Sequence, residues 1–449
     1  MKESKISISS FLKVRVGTYK PNDSRITKYK RLEKIDFSGE IHLSDKPSKT
    51  NMIIVEPGDL VISGINVAKG AISIYQGTEN ISATIHYSSY TFDSSKVNID
   101  YFKKFLKSPL FIQELEKQVK GGIKTEIKPK HLLPIQINLP SMEEQLKINE
   151  YFNLIDNKLF NIDNEVQLQS TYLSKLRQSI LQEAIEGKLT EDWREKNRKS
   201  ITKGDPNTDA VALLEKIKSE KEKMIAEGKL RKDKPLPAIK KEEIPFVLPE
   251  GWVWCRLGEV ITEPPKNGYS PKESNKETNV KSLKLGATTW GVFDRNKFKF
   301  IDEEIPINST YWLKFNDILI QRSNSLEYVG VSAIYTGKDF EFIYPDLMMK
   351  IRPYYLEMVK YLHKTLSSPF NRDYFRKSAK GSQKTMPKIN QEIVLNTILP
   401  LPPLAEQHAI VEKIESLMKS VEELETQVQE RKRYAEDLLQ SVLREAFEG

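Results

Sequence analysis

The chain has almost none of the residues that build a disulfide framework or a zinc site. Of its 449 residues only Cys255 is a cysteine, so neither an internal disulfide nor a multi-cysteine metal site can form. The five histidines follow no H-E-x-x-H or H-x-H spacing. We therefore expect no metal in this chain.

Long apolar runs are missing as well. No stretch approaches the ~20 residues that cross a bilayer, and the segment Met1–Ser10 lacks the apolar core of a signal peptide. The composition, 39% hydrophobic and 29% charged, is that of a folded globular protein. We expect a soluble intracellular protein with roughly two to four domains and no membrane contact.

Motifs for nucleotide binding and methyl transfer are also absent. An amino-methyltransferase would carry Asn/Asp-Pro-Pro-Tyr/Phe, but the Pro-Pro pairs here read Glu263-Pro-Pro-Lys266 and Leu401-Pro-Pro-Leu404. There is no G-x-x-x-x-G-K-[ST] loop and no G-x-G-x-x-G after a strand. Cys255 falls in an alternating, strand-like stretch, which favours a core thiol over a nucleophile. We predict that the chain is not an enzyme.

One unit occurs twice in the chain. Residues 139–187 align with residues 401–449 at a constant offset of 262, and 17 of the 49 positions are identical. Upstream the similarity is fainter and needs small gaps, with Asp59 matching Asp317. Such self-similarity indicates a duplicated fold. The predicted segments are a globular block at 1–138, a long helix at 139–187, a charged connector at 188–249, a second block at 250–400 and a final long helix at 401–449.

Each matched segment has the pattern of a long coiled-coil helix. Ser141–Glu144 has the form of a capping box, and apolar residues then recur with a period of about 3.5. Gln169 and Arg431 interrupt the two patterns at equivalent positions, which favours mutual pairing of the helices, because a polar seam residue fixes register. Two unrelated amphipathic helices, each packed on its own domain, are the alternative.

The predicted seam of the first helix is Ile148, Phe152, Ile155, Leu159, Ile162, Val166, Leu173, Leu176 and Ile180. The predicted seam of the second helix is Ile410, Ile414, Leu417, Val421, Leu424, Val428, Leu438 and Val442.

The two blocks have the pattern of mixed α/β domains with short strands. Runs rich in β-branched residues span Met52–Ser63 and Gly70–Tyr75 in the first block, and Asp317–Gln321 and Val329–Tyr335 in the second. The predicted fold class is therefore α+β (mixed α/β), with two pseudo-repeated globular domains separated by two long antiparallel coiled-coil helices. The composition of the connector indicates a linker rather than a core.

Charge is divided between these segments. The formal net charge of +8 comes from 70 Lys and Arg against 62 Asp and Glu. In chain order the five segments carry +8, −4, +4, +5 and −5. Because nucleic-acid affinity depends on Lys and Arg that neutralise phosphates, the basic blocks are the expected DNA-contacting surfaces and the acidic helices are not. An ordinary solvated surface with a basic excess is the alternative.

Two loops and one strand end are the candidate DNA contacts. The loops at 121–130 and 380–388 combine glycines for close backbone approach with lysines for phosphates, and Arg322–Asn324 offers donors of the kind that read purines. Each of these residues could equally belong to a solvated loop. The candidates are Lys124, Thr125, Lys128, Lys130, Arg322, Ser323, Asn324, Lys380, Ser382, Gln383, Lys384, Thr385 and Lys388.

Four stretches, in their order along the chain, resemble the specificity subunits of type I restriction-modification systems. They are L-P-S-M-E-E-Q (Leu139–Gln145), A-I-E-G-K-L-T-E-D-W-R (Ala184–Arg194), L-P-E-G-W-V-W-C-R-L-G-E (Leu248–Glu259) and L-P-L-P-P-L-A-E-Q-H-A-I-V-E-K-I (Leu399–Ile414). The resemblance covers essentially the whole chain. The first block departs from the pattern, because it begins without a P-E-G-W segment.

The resemblance implies a non-catalytic subunit that recognises DNA sequence. Two target recognition domains would each read one half of a bipartite site, and the paired helices would set the unread spacer. The implied partners are double-stranded DNA, two modification (methyltransferase) subunits and restriction (translocase and nuclease) subunits, in the cytoplasm of a prokaryote. The partners would bind S-adenosylmethionine and ATP with Mg, and this chain would bind no cofactor. A stand-alone sequence-specific DNA-binding protein, or a coiled-coil scaffold without a methyltransferase partner, is the alternative.

Overall fold

The chain folds into two compact units. Unit 1 consists of Met1–Gln169 with Gln427–Gly449, and unit 2 of Ser170–Thr426. The structure is a computed structural model, and it describes residues 5–37, 39–65, 71–118, 126–200, 202–232, 234–379 and 386–448.

Two helices are far longer than the others and coincide with the duplicated segments. The long helices are α4 and α11, and α4 begins with the expected capping box: the Ser141 amide donates to Glu144 Oε2 at 2.9 Å, and the Glu144 amide donates to Ser141 Oγ at 3.3 Å. In chain order the α-helices are α1 (Ile99–Phe105), α2 (Pro109–Gln118), α3 (Pro129–Leu132), α4 (Met142–Ile185), α5 (Glu191–Asn197), α6 (Ala210–Ala226), α7 (Leu257–Val260), α8 (Val359–Leu366), α9 (Pro369–Ala379), α10 (Gln391–Leu395) and α11 (Leu404–Glu448).

Unit 1 is built on short, mostly antiparallel sheets. One sheet has the order β2-β9-β6-β7, a second has the order β4-β3-β8-β5 with β3 and β8 parallel, and β1 pairs with β10. The strands are β1 (Ile6–Ser7), β2 (Leu12–Val14), β3 (Arg31–Ile35), β4 (Ile41–Ser44), β5 (Met52–Val55), β6 (Leu60–Ser63), β7 (Ile72–Ile74), β8 (Ile81–Thr84), β9 (Tyr87–Phe92) and β10 (Gln136–Ile137).

Unit 2 repeats this plan. Its sheets have the orders β12-β18-β15-β16 and β14-β13-β17, with β13 and β17 parallel, and β11 pairs with β19. The strands are β11 (Val253–Arg256), β12 (Lys266–Asn267), β13 (Val280–Leu283), β14 (Phe298–Ile301), β15 (Ile318–Gln321), β16 (Ser332–Ile334), β17 (Phe342–Ile343), β18 (Met348–Ile351) and β19 (Ile398–Leu401).

The strand equivalences confirm that the globular blocks are duplicated. Asp59 and Asp317 precede the equivalent strands β6 and β15, both carboxylates are buried, and both accept hydrogen bonds from an arginine. The arginines come from different places, since Arg15 follows β2 whereas Arg352 follows β18. The duplication has therefore kept a buried carboxylate with its guanidinium partner and has changed the strand that supplies the arginine.

In unit 1 the end of α11 packs against the beginning of α4 and the first block. The Phe447 ring lies 5.8 Å from the Phe152 ring, nearly parallel to it, and 5.7 Å from the Phe105 ring. Burial of such aromatic rings contributes about 2 to 3 kcal/mol each. The two helices run antiparallel here, because residues 447 and 431 of α11 contact residues 152 and 169 of α4 in reverse order.

In unit 2 the two helices are joined by an ion pair. Arg177 donates from Nε to Glu425 Oε1 at 2.9 Å and from Nη2 to Glu425 Oε2 at 2.7 Å. The hydrogen bonds from the guanidinium lower the pKa of the Glu425 carboxyl. The seam is therefore not wholly apolar.

The predicted seam needs two corrections. Leu176 and Leu424 are 43% and 44% exposed, so their prediction as seam residues is wrong. A helix turns every 3.6 residues, so a 3.5-residue pattern drifts, and the following residues, Arg177 and Glu425, pair with each other instead. Leu438 is 58% exposed but lines a groove together with Ile162 and Val166 of α4.

Most other seam positions are inside. Buried are Phe152, Val166, Leu173, Ile180, Ile410, Ile414, Val421, Val428 and Val442. Half-buried are Ile148, Ile155, Leu159, Ile162 and Leu417.

The connector is part of unit 2, which corrects its interpretation as a linker. Helix α6 buries Leu213, Leu214 and Ile217, residues that the charged composition of the segment conceals. The Pro-rich exit is held by Arg256, whose side chain is buried and donates to the Pro237 carbonyl at 2.6 Å. A few apolar residues at helical spacing are enough to dock a segment that is otherwise polar.

A buried carboxylate joins the connector to the beginning of α11. Glu406 is 2% exposed and accepts hydrogen bonds from Thr190 Oγ1 at 2.7 Å, Arg194 Nη1 at 2.6 Å and Trp252 Nε1 at 2.7 Å. Its equivalent in the first repeat, Glu144, is exposed and serves only as the helix cap. The sequence stretches T-E-D-W-R and P-E-G-W thus meet at one side chain.

Candidate nucleic-acid interface

The second candidate surface is formed where β15 ends. Arg322, the first residue after the strand, donates from its amide to the Leu347 carbonyl at 2.8 Å and accepts from the Ile389 amide at 2.9 Å. Ser323 and Lys388 form an antiparallel bridge next to this contact. The structure therefore brings together two predicted groups of DNA contacts, 322–324 and Lys388, that lie far apart in the sequence.

Unit 1 has the same arrangement at the end of β6. Gly64 is the equivalent of Arg322: its amide donates to the His86 carbonyl at 2.8 Å, and its carbonyl accepts from the Ile127 amide at 2.7 Å. A β-carbon at Gly64 would lie 2.7 Å from the Ile127 carbonyl oxygen, so a side chain here would force the backbone apart. Each unit thus holds the chain that follows its basic loop against the end of a central strand.

Seven predicted contacts lie outside the described residues. They are Lys124, Thr125, Lys380, Ser382, Gln383, Lys384 and Thr385. The described residues that follow them, beginning with Glu126 and Met386, lead directly into the anchored Ile127 and Ile389.

The side chains of the second candidate surface differ in their exposure. Arg322 is half-buried and donates from Nη1 to the Asp346 carbonyl at 3.3 Å, and Lys388 is exposed. Asn324 donates from Nδ2 to Gln321 Oε1 at 2.7 Å and accepts the Ser325 amide, so its amide group is already engaged. Ser323 is fully buried by the strand bridge, and its prediction as a base contact is wrong in this conformation.

The first candidate surface carries exposed lysines and an ion pair. Lys128 and Lys130 are both exposed. Glu126 Oε1 lies 2.8 Å from His86 Nδ1, and Glu126 Oε2 lies 3.8 Å from Lys128 Nζ. The sequence did not point to His86 or Glu126, because they are 40 residues apart and no motif links them.

Gln321 and Arg372 were also missed, and both shape the second candidate surface. Gln321 is buried and donates from Nε2 to Thr288 Oγ1 at 3.1 Å, which ties a second loop to the end of β15. Arg372 on α9 donates to the carbonyls of Glu327 and Val329 at 2.8 and 2.7 Å. Burial lowers the pKa of Arg372 to about 10, so its guanidinium is still charged at neutral pH and makes strong hydrogen bonds.

The described parts of both candidate surfaces carry exposed lysines, which suit DNA phosphates. Cys255 lies in β11, is fully buried and has its pKa raised by burial, so it is not a nucleophile. Among the described residues, Asp36, Glu40 and His42 could hold a metal ion by spacing, but His42 is already paired with Asp36 at 3.1 Å on the β3–β4 hairpin.

The family model described as the type I restriction modification DNA specificity domain matches residues 249–431. The resemblance to specificity subunits of type I restriction-modification systems is confirmed by relatives that align with most of the chain. None of the described helices is long and apolar enough to cross a membrane.

Two relatives from Escherichia coli illustrate the extent of the similarity. The EcoEI specificity subunit is 26% identical over 390 residues, which cover 75% of this chain and 62% of that subunit. The EcoAI specificity subunit is 27% identical over 450 residues, which cover 87% of this chain and 72% of that subunit. The alignment thus spans less than two thirds of the EcoEI subunit.

Solved structures support the fold. A chain from a structural study of complex assembly and conformational transition of the type I R-M system aligns with 99% of this chain and 97% of its own length. The TM-score is 0.58 at 15% sequence identity. The prediction of a mixed helix and strand fold with a long central helix and a long C-terminal helix is confirmed.

Proposed function

We propose that this chain is the DNA sequence-recognition subunit of a type I restriction-modification complex. The observation that carries the proposal is its similarity to specificity subunits over most of the sequence, including the domain at residues 249–431. Each unit would read one half of a bipartite DNA site. The paired helices α4 and α11 would set the length of the unread spacer.

The same backbone anchoring in both units supports two DNA-recognition domains of the same type. The Ile127 amide donates to the Gly64 carbonyl and the Ile389 amide donates to the Arg322 carbonyl, so each unit holds one residue at or just after its predicted basic loop against the end of its central strand. The side chains at these positions differ, since one unit has glycine where the other has arginine. One scaffold with different side chains suits recognition of two different half-sites, because base edges are read by side chains and phosphates by the scaffold.

The chain would act through partners rather than by its own chemistry. Two modification subunits would supply S-adenosylmethionine-dependent methylation, and restriction subunits would use ATP and Mg to translocate and cleave DNA, in the cytoplasm of a prokaryote. Exposed apolar side chains on α4 are suited to protein docking. They are Leu146, Tyr151, Leu154, Phe160, Leu168, Tyr172 and Leu176.

The deciding experiment is co-expression with a modification subunit encoded beside this chain, followed by sequencing of methylated DNA. We expect methylated adenines in one bipartite motif, and no methylation when this chain is omitted. DNA binding without a methyltransferase partner would favour a stand-alone DNA-binding protein. No salt-dependent DNA binding by the complex or the chain would favour a scaffold and overturn the proposal.

A further inference from the structure

Unit 2 has a tryptophan whose side chain is largely exposed to solvent. Trp290 is 81% exposed, and Val292 beside it is 73% exposed. The Trp290 ring lies 6.3 Å from the Tyr328 ring at an interplanar angle of 86°, the edge-to-face geometry of an aromatic pair. A large aromatic side chain left in water indicates a binding surface, because burying it in the fold would have been favourable.

The loop that carries Trp290 is held in place. Gln321 donates from one nitrogen, Nε2, toward the Leu285 carbonyl at 3.2 Å and toward the hydroxyls of Thr288 and Thr289 at 3.1 and 3.3 Å. Gly291 adopts a φ of 72°, a left-handed conformation that favours glycine, immediately after the tryptophan. The indole is therefore presented by a fixed loop.

Tyr328 belongs to the same β15–β16 connection as Arg322. Arg372 binds the carbonyls on either side of it, at Glu327 and Val329. Gly330 is packed against Phe375 of α9, with a β-carbon position only 2.6 Å from that ring. Tyr328 and the predicted DNA contact Arg322 thus share one hairpin, and Gln321 at the start of this hairpin holds the loop that carries Trp290.

Charge complementarity identifies the occupant of this surface. Arg322 lies on the hairpin itself, and the exposed Lys388 is bridged to it through Ser323. Cations beside exposed aromatic faces match a nucleic acid, whose phosphates are anionic and whose bases offer flat π surfaces.

We propose that Trp290, supported by Tyr328, stacks on or wedges between bases of the DNA half-site bound by unit 2. This inference rests on the proposed function, since it requires that unit 2 bind DNA. Stacking of this kind tolerates different base sequences, but it depends on how easily two neighbouring base pairs separate. The Trp290–Tyr328 pair therefore favours half-sites whose DNA deforms easily.

The experiment compares Trp290→Ala and Trp290→Phe with wild type in the full chain, using a duplex that wild type selects from a random-sequence pool. Trp290→Ala should weaken binding about tenfold and Trp290→Phe much less, since base stacking is worth roughly 1 to 3 kcal/mol. The dependence of affinity on salt should stay unchanged, because no phosphate contact is lost. Phe315→Ala is the matched control, because Phe315 is 55% exposed and precedes β15 at its opposite end.

Tryptophan fluorescence gives a second, independent readout. Trp252 and Trp312 are buried, and Trp193 and Trp254 are half-buried, so Trp290 dominates quenching by acrylamide. DNA should protect this fluorescence in wild type, and the protection should be absent in Trp290→Phe.

Each outcome bears on a different claim. Wild-type affinity in Trp290→Ala, or quenching that DNA does not change, overturns the stacking proposal while DNA recognition stands. Protection by a purified modification subunit instead of DNA would assign the surface to a protein partner and also overturn it. Failure of wild type to select any duplex would contradict the proposed function itself.

Discussion

Arg431 Nη1 donates a hydrogen bond to Gln169 Oε1 over 3.4 Å, and these two residues are each other's equivalents in the duplicated helices. Arg431 also lies 3.7 Å from Glu165. When equivalent residues of two antiparallel helices meet, they mark the centre about which the pairing is symmetric. This pair of equivalent polar residues therefore lies where a register error would separate the two.

The antiparallel pairing predicts how the spacer responds to helix length. Insertion of one heptad into both α4 and α11 adds about 10 Å at ~1.5 Å per residue, which corresponds to roughly three base pairs. We expect a spacer longer by about that amount with both half-sites unchanged, as measured by sequencing of methylated DNA. Insertion into α11 alone is the control, because it breaks the pairing and should abolish methylation. An unchanged spacer after the double insertion would contradict the role of the helices.

Glu406 and Glu144 occupy equivalent positions in the two repeats, so substituting each of them compares a buried carboxylate with an exposed one. Glu406→Ala leaves the donors of Arg194 and Trp252 without their acceptor, and it should lower the free energy of unfolding by about 3 kcal/mol. Glu144→Ala removes only an exposed helix cap, for which about 1 kcal/mol is expected. Urea denaturation of both variants measures the difference. Equal losses would mean that the three hydrogen bonds to Glu406 contribute little.

Much of the architecture could be predicted because it is encoded by periodicity and duplication. Repeated apolar spacing predicted both long helices, and β-branched runs predicted β5, β6, β7, β15 and β16. The same reasoning failed at Leu176 and Leu424, because a heptad pattern does not tell which of two adjacent residues faces the partner once the helix drifts.

The interface was harder to predict because its construction is not local. Gln321 is an ordinary strand residue in the sequence, and only the fold places Thr288 and Asn324 within reach of its amide. Composition likewise pointed to Ser323 as a polar contact, whereas the bridge to Lys388 turns it inward. The residue types indicated which side chains could bind DNA. Only the structure shows which of these side chains are already buried or hydrogen-bonded within the protein.

The basic loops should contribute through phosphate contacts. Lys124→Ala and Lys384→Ala should each weaken DNA binding by a similar factor on every sequence and reduce the slope of log affinity against log salt by about one. Lys413→Ala, an exposed lysine on the acidic helix α11, is the control and should leave the slope unchanged. Binding titrations at several salt concentrations give the result. Unaltered slopes in both loop variants would exclude these loops from the DNA interface.

His363 should make the stability of unit 2 depend on pH. The side chain is buried in α8, its Nε2 lies 3.0 Å from the Ser332 carbonyl, and burial lowers its pKa to about 4, below the ordinary value of about 6.5. Between these values the unfolded chain binds a proton that the folded chain does not, so the free energy of unfolding should fall as the pH decreases from 6.5 toward 4. The expected loss at pH 5 is about 2 kcal/mol.

Two histidine variants isolate this contribution. His363→Gln keeps a nitrogen donor but cannot titrate, so its stability should be lower at neutral pH and should change less than that of wild type between pH ~6.5 and ~5. His408→Gln removes an exposed histidine of the same unit and should retain the wild-type pH dependence. Urea denaturation at a series of pH values measures all three proteins. Only a group whose pKa differs between the folded and the unfolded chain can make folding depend on pH. If wild type and His363→Gln lose equal stability over that range, the protons are therefore bound by other groups.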